Sequence, residues 1–256
     1  MITIDDQAAL AAINTAAAEL KLPTIRNDAE HYATEAQRDS VTYLGFLADL
    51  LTTELDGRRE RRRKRQIKQA RFPRLKRLED FDLKTADTVN PATIATLAQG
   101  NYIATGDPVV LLGDSGTGKS HLMIGLGLAA CSQGATVRYT TAAALANELA
   151  EAADEQHLTK LVARYGRIDL LCIDEIGYVK LDARGSEYLF QILTEREEKS
   201  SIILASNLPF SEWGHIIEDP RLAAAIVDRV TYNAHIIETG THSYRLKNST
   251  RQSGAK

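Results

Sequence analysis

The chain has 256 residues, 44% of them apolar and 25% charged, which is the composition of a globular protein able to bury a substantial core. Its net charge of −3 hides a segregation, because Arg58 to Arg77 holds twelve lysines or arginines against the single acid Glu60 and the remainder is strongly acidic. No window approaches the ~18 uninterrupted apolar residues of a membrane-spanning helix, and the opening MITIDDQAAL has acids where a secretory signal needs basic residues, so a cytoplasmic protein with no membrane partner is expected.

Residues 5 to 56 read as helices. Leu10, Ile13, Ala17 and Leu20 recur at three- and four-residue steps, as do Val41, Leu44, Leu47, Leu51 and Leu55. Pro23 separates the first helix from a second beginning near Asn27, and Ser40 is placed to cap the third. Nothing alternates like a strand, so residues 1–57 are expected to form a small all-helical domain without a catalytic constellation.

Residues 58–82 follow as a basic connecting segment. Like charges three and four apart destabilise an isolated helix, and a counter-anion would remove that conflict. Arg58, Arg59, Arg61, Arg62, Arg63, Lys64, Arg65, Lys68 and Arg71 are therefore candidate contacts to a nucleic-acid backbone, the alternative being a solvated linker. Phe72 and Phe81 are too few for base stacking.

From Leu83 the pattern changes. Apolar runs at 109–113, 136–141, 169–174, 201–206 and 235–239 alternate with helical stretches at 119–133, 142–165, 185–199 and 221–232. Such runs suit parallel strands covered on both faces, which predicts an α/β three-layer fold with a five-stranded parallel sheet over residues 83–247 and a disordered tail at 248–256. Cys131 and Cys172 lie inside apolar segments and read as core residues; none of the six histidines has ligand spacing with another His or Cys.

The first apolar run leads into GDSGTGKS, a phosphate-binding loop with G-x-x-x-x-G-K-[ST] spacing. Gly113, Gly116 and Gly118 allow the turns that aim backbone N–H groups at phosphate oxygens, with Asp114, Ser115 and Thr117 between them and His121 just after. Lys119 supplies a point charge at the start of a helix, and the Ser120 hydroxyl is a hard ligand for Mg2+, so ATP with Mg2+ is the expected cofactor. Asp174 and Glu175 end the run LLCI at the edge of an α/β sheet where ligands bind, which suits Asp174 to the Mg2+ shell and Glu175 to activation of the attacking water. Asn207 ends SIILAS and is placed to sense the γ-phosphate or the same water. Phosphoryl transfer also needs positive charge near the γ-phosphate, often from a neighbouring subunit; Arg229 and then Arg245 are the candidates.

The stretches GDSGTGKSHL, DLLCIDEIGYVKLD, IILASNLPFSEWG and DPRLAAAIVDRVTYNAHIIETGTHSYRLK resemble the IstB-like ATP-binding proteins, helper ATPases of a bacterial insertion-sequence family, and more distantly the DnaC helicase loaders. The likeness covers nearly the whole chain, including LPTIRNDAEHYATEA, YLGFLADLL and RFPRLKRLEDFD. It implies an AAA+ module in which Lys119 and Ser120 correspond to Walker A, Asp174 and Glu175 to Walker B, Asn207 to sensor I and Arg229 to an arginine finger acting in trans, while Arg245 resembles the arginine of the family's Ser-Tyr-Arg motif. Only 49 residues follow Asn207, too few for the last helix and strand plus a helical lid, so no lid domain is expected.

The resemblance implies an ATP-dependent helper of transposition: a homo-oligomer assembled on double-stranded DNA, bound through backbone and shape, that prepares the target for a transposase. The helical pair between the second and third strands matches an insertion of the initiator and loader branch; Lys160, Arg164 and Arg167 there, with Lys180 and Arg184 after Walker B, are further candidate DNA contacts. A helicase loader preferring single strands is the alternative. A small-molecule kinase fits poorly, because the Asp-Glu pair and the strand-end Asn suit water activation.

Overall fold

The computed structural model describes residues 6–83, 86 and 88–241. The chain divides into two compact units, Met1–Arg65 and Gln66–Lys256. The no-lid and disordered-tail expectations fall after residue 241, outside the described residues.

The first unit contains α1 (Asp6–Glu19), α2 (Pro23–Arg38) and the start of α3 (Tyr43–Ala70). Pro23 opens α2 rather than preceding it, because its fixed φ and missing N–H suit the first helical position. Thr42, not Ser40, caps α3: its Oγ1 accepts from Gly45 N at 3.2 Å, while Ser40 takes a left-handed φ of 53°. The core is Ala17, Ile25, Ala29 and Leu50, with Leu22, Tyr32 and Phe46 against it. The periodic leucines do not mark the buried face of α3, since Leu44, Leu47, Leu51 and Leu55 are exposed. Glu54 instead is only 3% exposed and accepts from Thr24 N at 2.7 Å and Ile25 N at 3.1 Å, so one carboxylate ties α3 to the first turn of α2. The basic segment is helical as far as Ala70, and the division between units falls inside it.

In the second unit α4 (Pro91–Ala98) and α5 (Asn101–Thr105) lead to β1 (Val109–Leu112). Then come α6 (Lys119–Ser132), β2 (Val137–Thr141), α7 (Ala142–Asp154), α8 (Leu158–Gly166), β3 (Leu170–Ile176) and α9 (Ala183–Arg196). The last elements are β4 (Ser201–Ser206), α10 (Pro220–Thr231) and β5 (His235–Glu238). The stretch 142–165 is two helices, broken where Gln156 adopts φ 60°. Side-chain oxygens of Thr141, Asp182 and Asp219 accept from the first-turn N–H groups of α7, α9 and α10.

All five strands are parallel, in the order β2-β3-β4-β1-β5. Val109, Leu111, Leu170, Cys172, Ile203 and Ala205 point to the α6 side, and Val110, Leu171, Ile173, Ile202 and Leu204 to the side of α7 to α10. Burial on both faces explains why the runs read as continuous rather than alternating. Cys131 and Cys172 are free and buried, and burial pushes both thiols up, Cys131 to about 11. Among the described residues no helix is long and apolar enough to cross a membrane.

The segment between α3 and the sheet is seated along α6. Cβ atoms at Gly118, Gly125 and Gly127 would lie 2.6, 2.5 and 2.7 Å from side-chain atoms of Phe81, Leu78 and Phe72, so three glycines make room for three apolar side chains.

Candidate nucleotide site

The C-terminal edges of β1, β3 and β4 bring the predicted loop, the acidic pair and Asn207 to one end of the sheet. After β1, Gly113 takes φ 146° and passes so close to β5 that a Cβ there would lie 2.5 Å from Thr239 Oγ1 and 2.8 Å from Gly240 O. Gly113 N donates to Ser206 O at 3.3 Å and Asp114 N to Gly240 O at 3.1 Å, so the ends of β4 and β5 fix the turn. Thr117 Oγ1 donates to Asp114 O at 2.8 Å and lies 2.6 Å from Thr239 Oγ1, holding the loop closed from inside.

Lys119 is 7% exposed, and its Nζ donates to Gly113 O at 2.7 Å and Asp114 O at 2.8 Å. Its charge is thereby kept within the loop, next to the first N–H groups of α6, which point outward from a helix N-terminus. Ser120 sits in that first turn. His121 turns to the segment before the sheet: Nε2 is 2.7 Å from Arg77 O, and the ring meets Phe81 edge-on at 5.4 Å.

Asp174 is 3% exposed, with Oδ1 accepting from Glu175 N and Oδ2 from the Tyr139 hydroxyl, both at 2.8 Å. Burial, and then the adjacent Asp174 carboxylate, raise the Tyr139 hydroxyl above its ordinary range, which keeps it a donor. The β3–β4 register slips between Ile173 and Ile176, and within that bulge Glu175 adopts φ 63° and is exposed. Asn207 N donates to Ile176 O at 3.3 Å, whereas its Oδ1 is buried without a hydrogen-bond partner among the described residues. Gly177, at φ 104°, leaves room for that oxygen.

This end of the sheet offers an ammonium, a hydroxyl and a buried carboxylate whose oxygens retain lone pairs, a donor set that fits Mg2+ alongside phosphate oxygens. No cluster of three or more His, Cys, Asp or Glu able to hold a metal alone exists among the described residues.

Arg229 is not brought to this site. It lies near Gly106, Pro108, Ser200 and Asn233, the residues that precede β1, β4 and β5, at the opposite edge of the sheet. There its Nε is 3.2 Å from Glu197 Oε2 and its guanidinium carbon 4.3 Å from the centre of the Phe190 ring. Arg245 falls outside the described residues.

The basic candidates divide by their partners. Arg59 lies 3.1 Å from Asp56, Arg61 2.8 Å and Arg58 4.0 Å from Glu54, and Arg63 and Lys64 2.9 and 3.7 Å from Glu60, so three acids offset part of the charge on α3. Arg65, Lys68 and Arg71 are exposed, with no carboxylate within 4.0 Å among the described residues. Arg164 is paired with Glu148 and Arg184 with Asp154, while Lys160, Arg167 and Lys180 are exposed.

Tyr139, Thr239 and Phe81 escape a motif reading. Each reads as an ordinary strand, turn or linker residue, and its role depends on what the fold brings beside it.

A family model described as IstB-like ATP binding protein matches residues 15–252. The chain belongs to this family. It is 34% identical over 233 residues to an insertion-sequence ATP-binding protein of Geobacillus stearothermophilus, covering 91% of this chain and 93% of the relative. It is 33% identical over 232 residues to one of Sinorhizobium fredii, with 90% and 78% covered. The insertion sequence IS21 ATP-binding protein of Pseudomonas aeruginosa is 32% identical over 228 residues, with 89% and 86% covered.

Among solved structures, AMPPCP-bound DnaA from Aquifex aeolicus gives a TM-score of 0.56 at 21% identity over 72% of this chain and 56% of its own length. DnaI gives 0.53 at 20% identity, with 64% and 90% covered. The likeness to these structures gives the chain the AAA+ fold, and its family makes it an IstB-like ATP-binding protein.

Proposed function

We propose that this IstB-like chain hydrolyses ATP to govern its own assembly on double-stranded DNA, where the assembly prepares a target for the transposase of the same insertion sequence. The observation that carries the reading is the division of the catalytic set: Lys119, Asp174, Glu175 and Asn207 share one edge of the sheet, while Arg229 is held at the other. A site whose cation comes from the next subunit turns over only in an assembly.

Within one subunit, the Lys119 ammonium, held by the Gly113 and Asp114 carbonyls, would turn to the β- and γ-phosphate oxygens of bound ATP, and Ser120 and Asp174 would hold Mg2+, which neutralises phosphate charge when bound. Glu175 accepts a proton from the water whose oxygen bonds to the γ-phosphorus as the bond to the bridging oxygen breaks, giving ADP and phosphate. Asn207 Oδ1, buried and unpaired, is suited to hold that water in line. The exposed Arg65, Lys68 and Arg71 are proposed as the phosphate contacts to DNA.

The testing experiment is binding of random duplex and single-stranded DNA with ATP, ADP or no nucleotide over a range of salt. ATP-dependent duplex binding in large complexes is expected, weakening about 10³- to 10⁵-fold between about 50 and 200 mM salt if six to ten phosphates are contacted. Glu175→Gln should bind ATP and accumulate on DNA without releasing phosphate. A preference for single strands would instead assign a helicase-loader role, and absence of DNA binding would reduce the basic helix to a solvated connector.

A further inference from the structure

We propose that Tyr139 is a positioning residue that links the Asp174 carboxylate, through Phe72, to the basic end of α3, so that contact with DNA and binding of Mg2+-nucleotide influence one another. The inference rests on the DNA reading above and adds the route by which the two sites communicate.

Tyr139 lies on β2 opposite Cys172, and its side chain reaches diagonally along the same sheet face to Asp174, two residues further along β3. Asp174 Oδ1 is already taken by the N–H of Glu175, so the orientation of the carboxylate depends on what holds Oδ2, and that is the tyrosine hydroxyl. Packing alone does not call for this hydroxyl, because a phenylalanine would cover the same apolar layer.

On its other side the Tyr139 ring meets the Phe72 ring, with centroids 6.2 Å apart and planes inclined at 59°. Phe72 is half-buried and packs against Gly127 of α6, with its tip 2.7 Å from where a Cβ would stand. The end of α3 is anchored in the same layer: Ala70 is fully buried, Ile67 packs beside it, and Gln66 Nε2 donates to Gly134 O at 2.5 Å. Exposed Lys68 and Arg71 belong to this anchored stretch. Arg71 adopts φ 59°, the left-handed turn that ends the helix and sends Phe72 inward. Two side-chain contacts, Phe72 to Tyr139 and Tyr139 to Asp174, therefore separate an exposed arginine from a carboxylate suited to Mg2+. A close-packed layer transmits a displacement at one end to the other.

The test measures affinity for a labelled random duplex with a non-hydrolysable ATP analogue and with ADP, and the Mg2+ dependence of analogue binding, in the full chain. The ratio of the two DNA affinities equals the ratio by which DNA alters the two nucleotide affinities, and wild type is expected to show about 5- to 150-fold. Tyr139→Phe should bring the ratio within about twofold of unity and weaken the Mg2+ dependence. Phe72→Leu, which leaves the hydroxyl in place, should reduce the ratio alone. A purely structural role would lower the melting temperature and weaken DNA binding equally with both nucleotides; an unchanged ratio in both variants overturns the link while leaving the DNA reading standing. Loss of Mg2+ dependence in Tyr139→Phe with an unchanged ratio in Phe72→Leu overturns the connection to α3. A wild-type chain that binds no DNA fails the earlier reading, and the link with it.

Discussion

Asn207 is fixed through its backbone N–H to Ile176 O, and its side-chain oxygen is buried with no protein hydrogen-bond partner among the described residues. Leaving such a group unpaired costs about 1–3 kcal/mol, so activity and stability should move in opposite directions when it is removed. Asn207→Ala is expected to raise the melting temperature while lowering kcat about 10²- to 10³-fold, the loss typical of one positioned hydrogen bond. Thermal melts and steady-state phosphate release check the pair of effects, and a fall in both would make Asn207 an ordinary structural residue. At this scale the sequence is informative where chemistry constrains spacing, as in the loop around Lys119 or the acidic pair after LLCI. It is silent on Tyr139, because a tyrosine in a strand has many uses and only the register with Cys172 and Asp174 selects this one.

Between elements, the junction of α2 and α3 is a charged one. Burial pushes the Glu54 carboxyl up, but the N–H groups of Ile25 and Thr24, together with Arg61, outweigh it and hold Glu54 below its ordinary value of 4.5. The folded value lies below the unfolded one, so the stabilisation is present above about pH 4.5 and is lost as pH falls through the folded value. Glu54→Gln should cost about 1.5–3 kcal/mol at neutral pH, the worth of hydrogen bonds to a charged group, and should remove the Glu54 share of the acid dependence below that point. Urea unfolding of both proteins at pH 7 and pH 4, followed by far-ultraviolet circular dichroism, measures it. The same junction explains why the leucine repeat misleads. A three- and four-residue period identifies a stripe but not its partner, and Glu54 turns the Leu50 face, not the Leu44–Leu51 face, toward α2. The sheet strands were legible because burial on both faces leaves little choice of side chain.

At the scale of the whole molecule, the position of Arg229 decides what kind of enzyme is possible. The four residues of β1 alone put about 13 Å of rise between the two sheet edges, and Arg229 is further occupied by Glu197 and Phe190. Its own chain's loop is out of reach, so a catalytic Arg229 must serve a neighbour. That requirement makes two inactive proteins complementary. Glu175→Gln lacks the proposed base but is expected to bind ATP, assemble and present Arg229 to the next subunit; Arg229→Ala retains a complete loop and base that, on the proposed reading, need a neighbour's arginine. Each alone should hydrolyse little ATP. Mixed in equal amounts and allowed to assemble on DNA, they create roughly a quarter of interfaces with both groups intact, and phosphate release should recover in proportion. Recovery must vanish when one chain carries both substitutions and is mixed with Glu175→Gln, since no interface then joins an intact site to an arginine. Activity that stays at the sum of the separate proteins would show that Arg229 serves no neighbouring site, and its ion pair with Glu197 would then be its whole role.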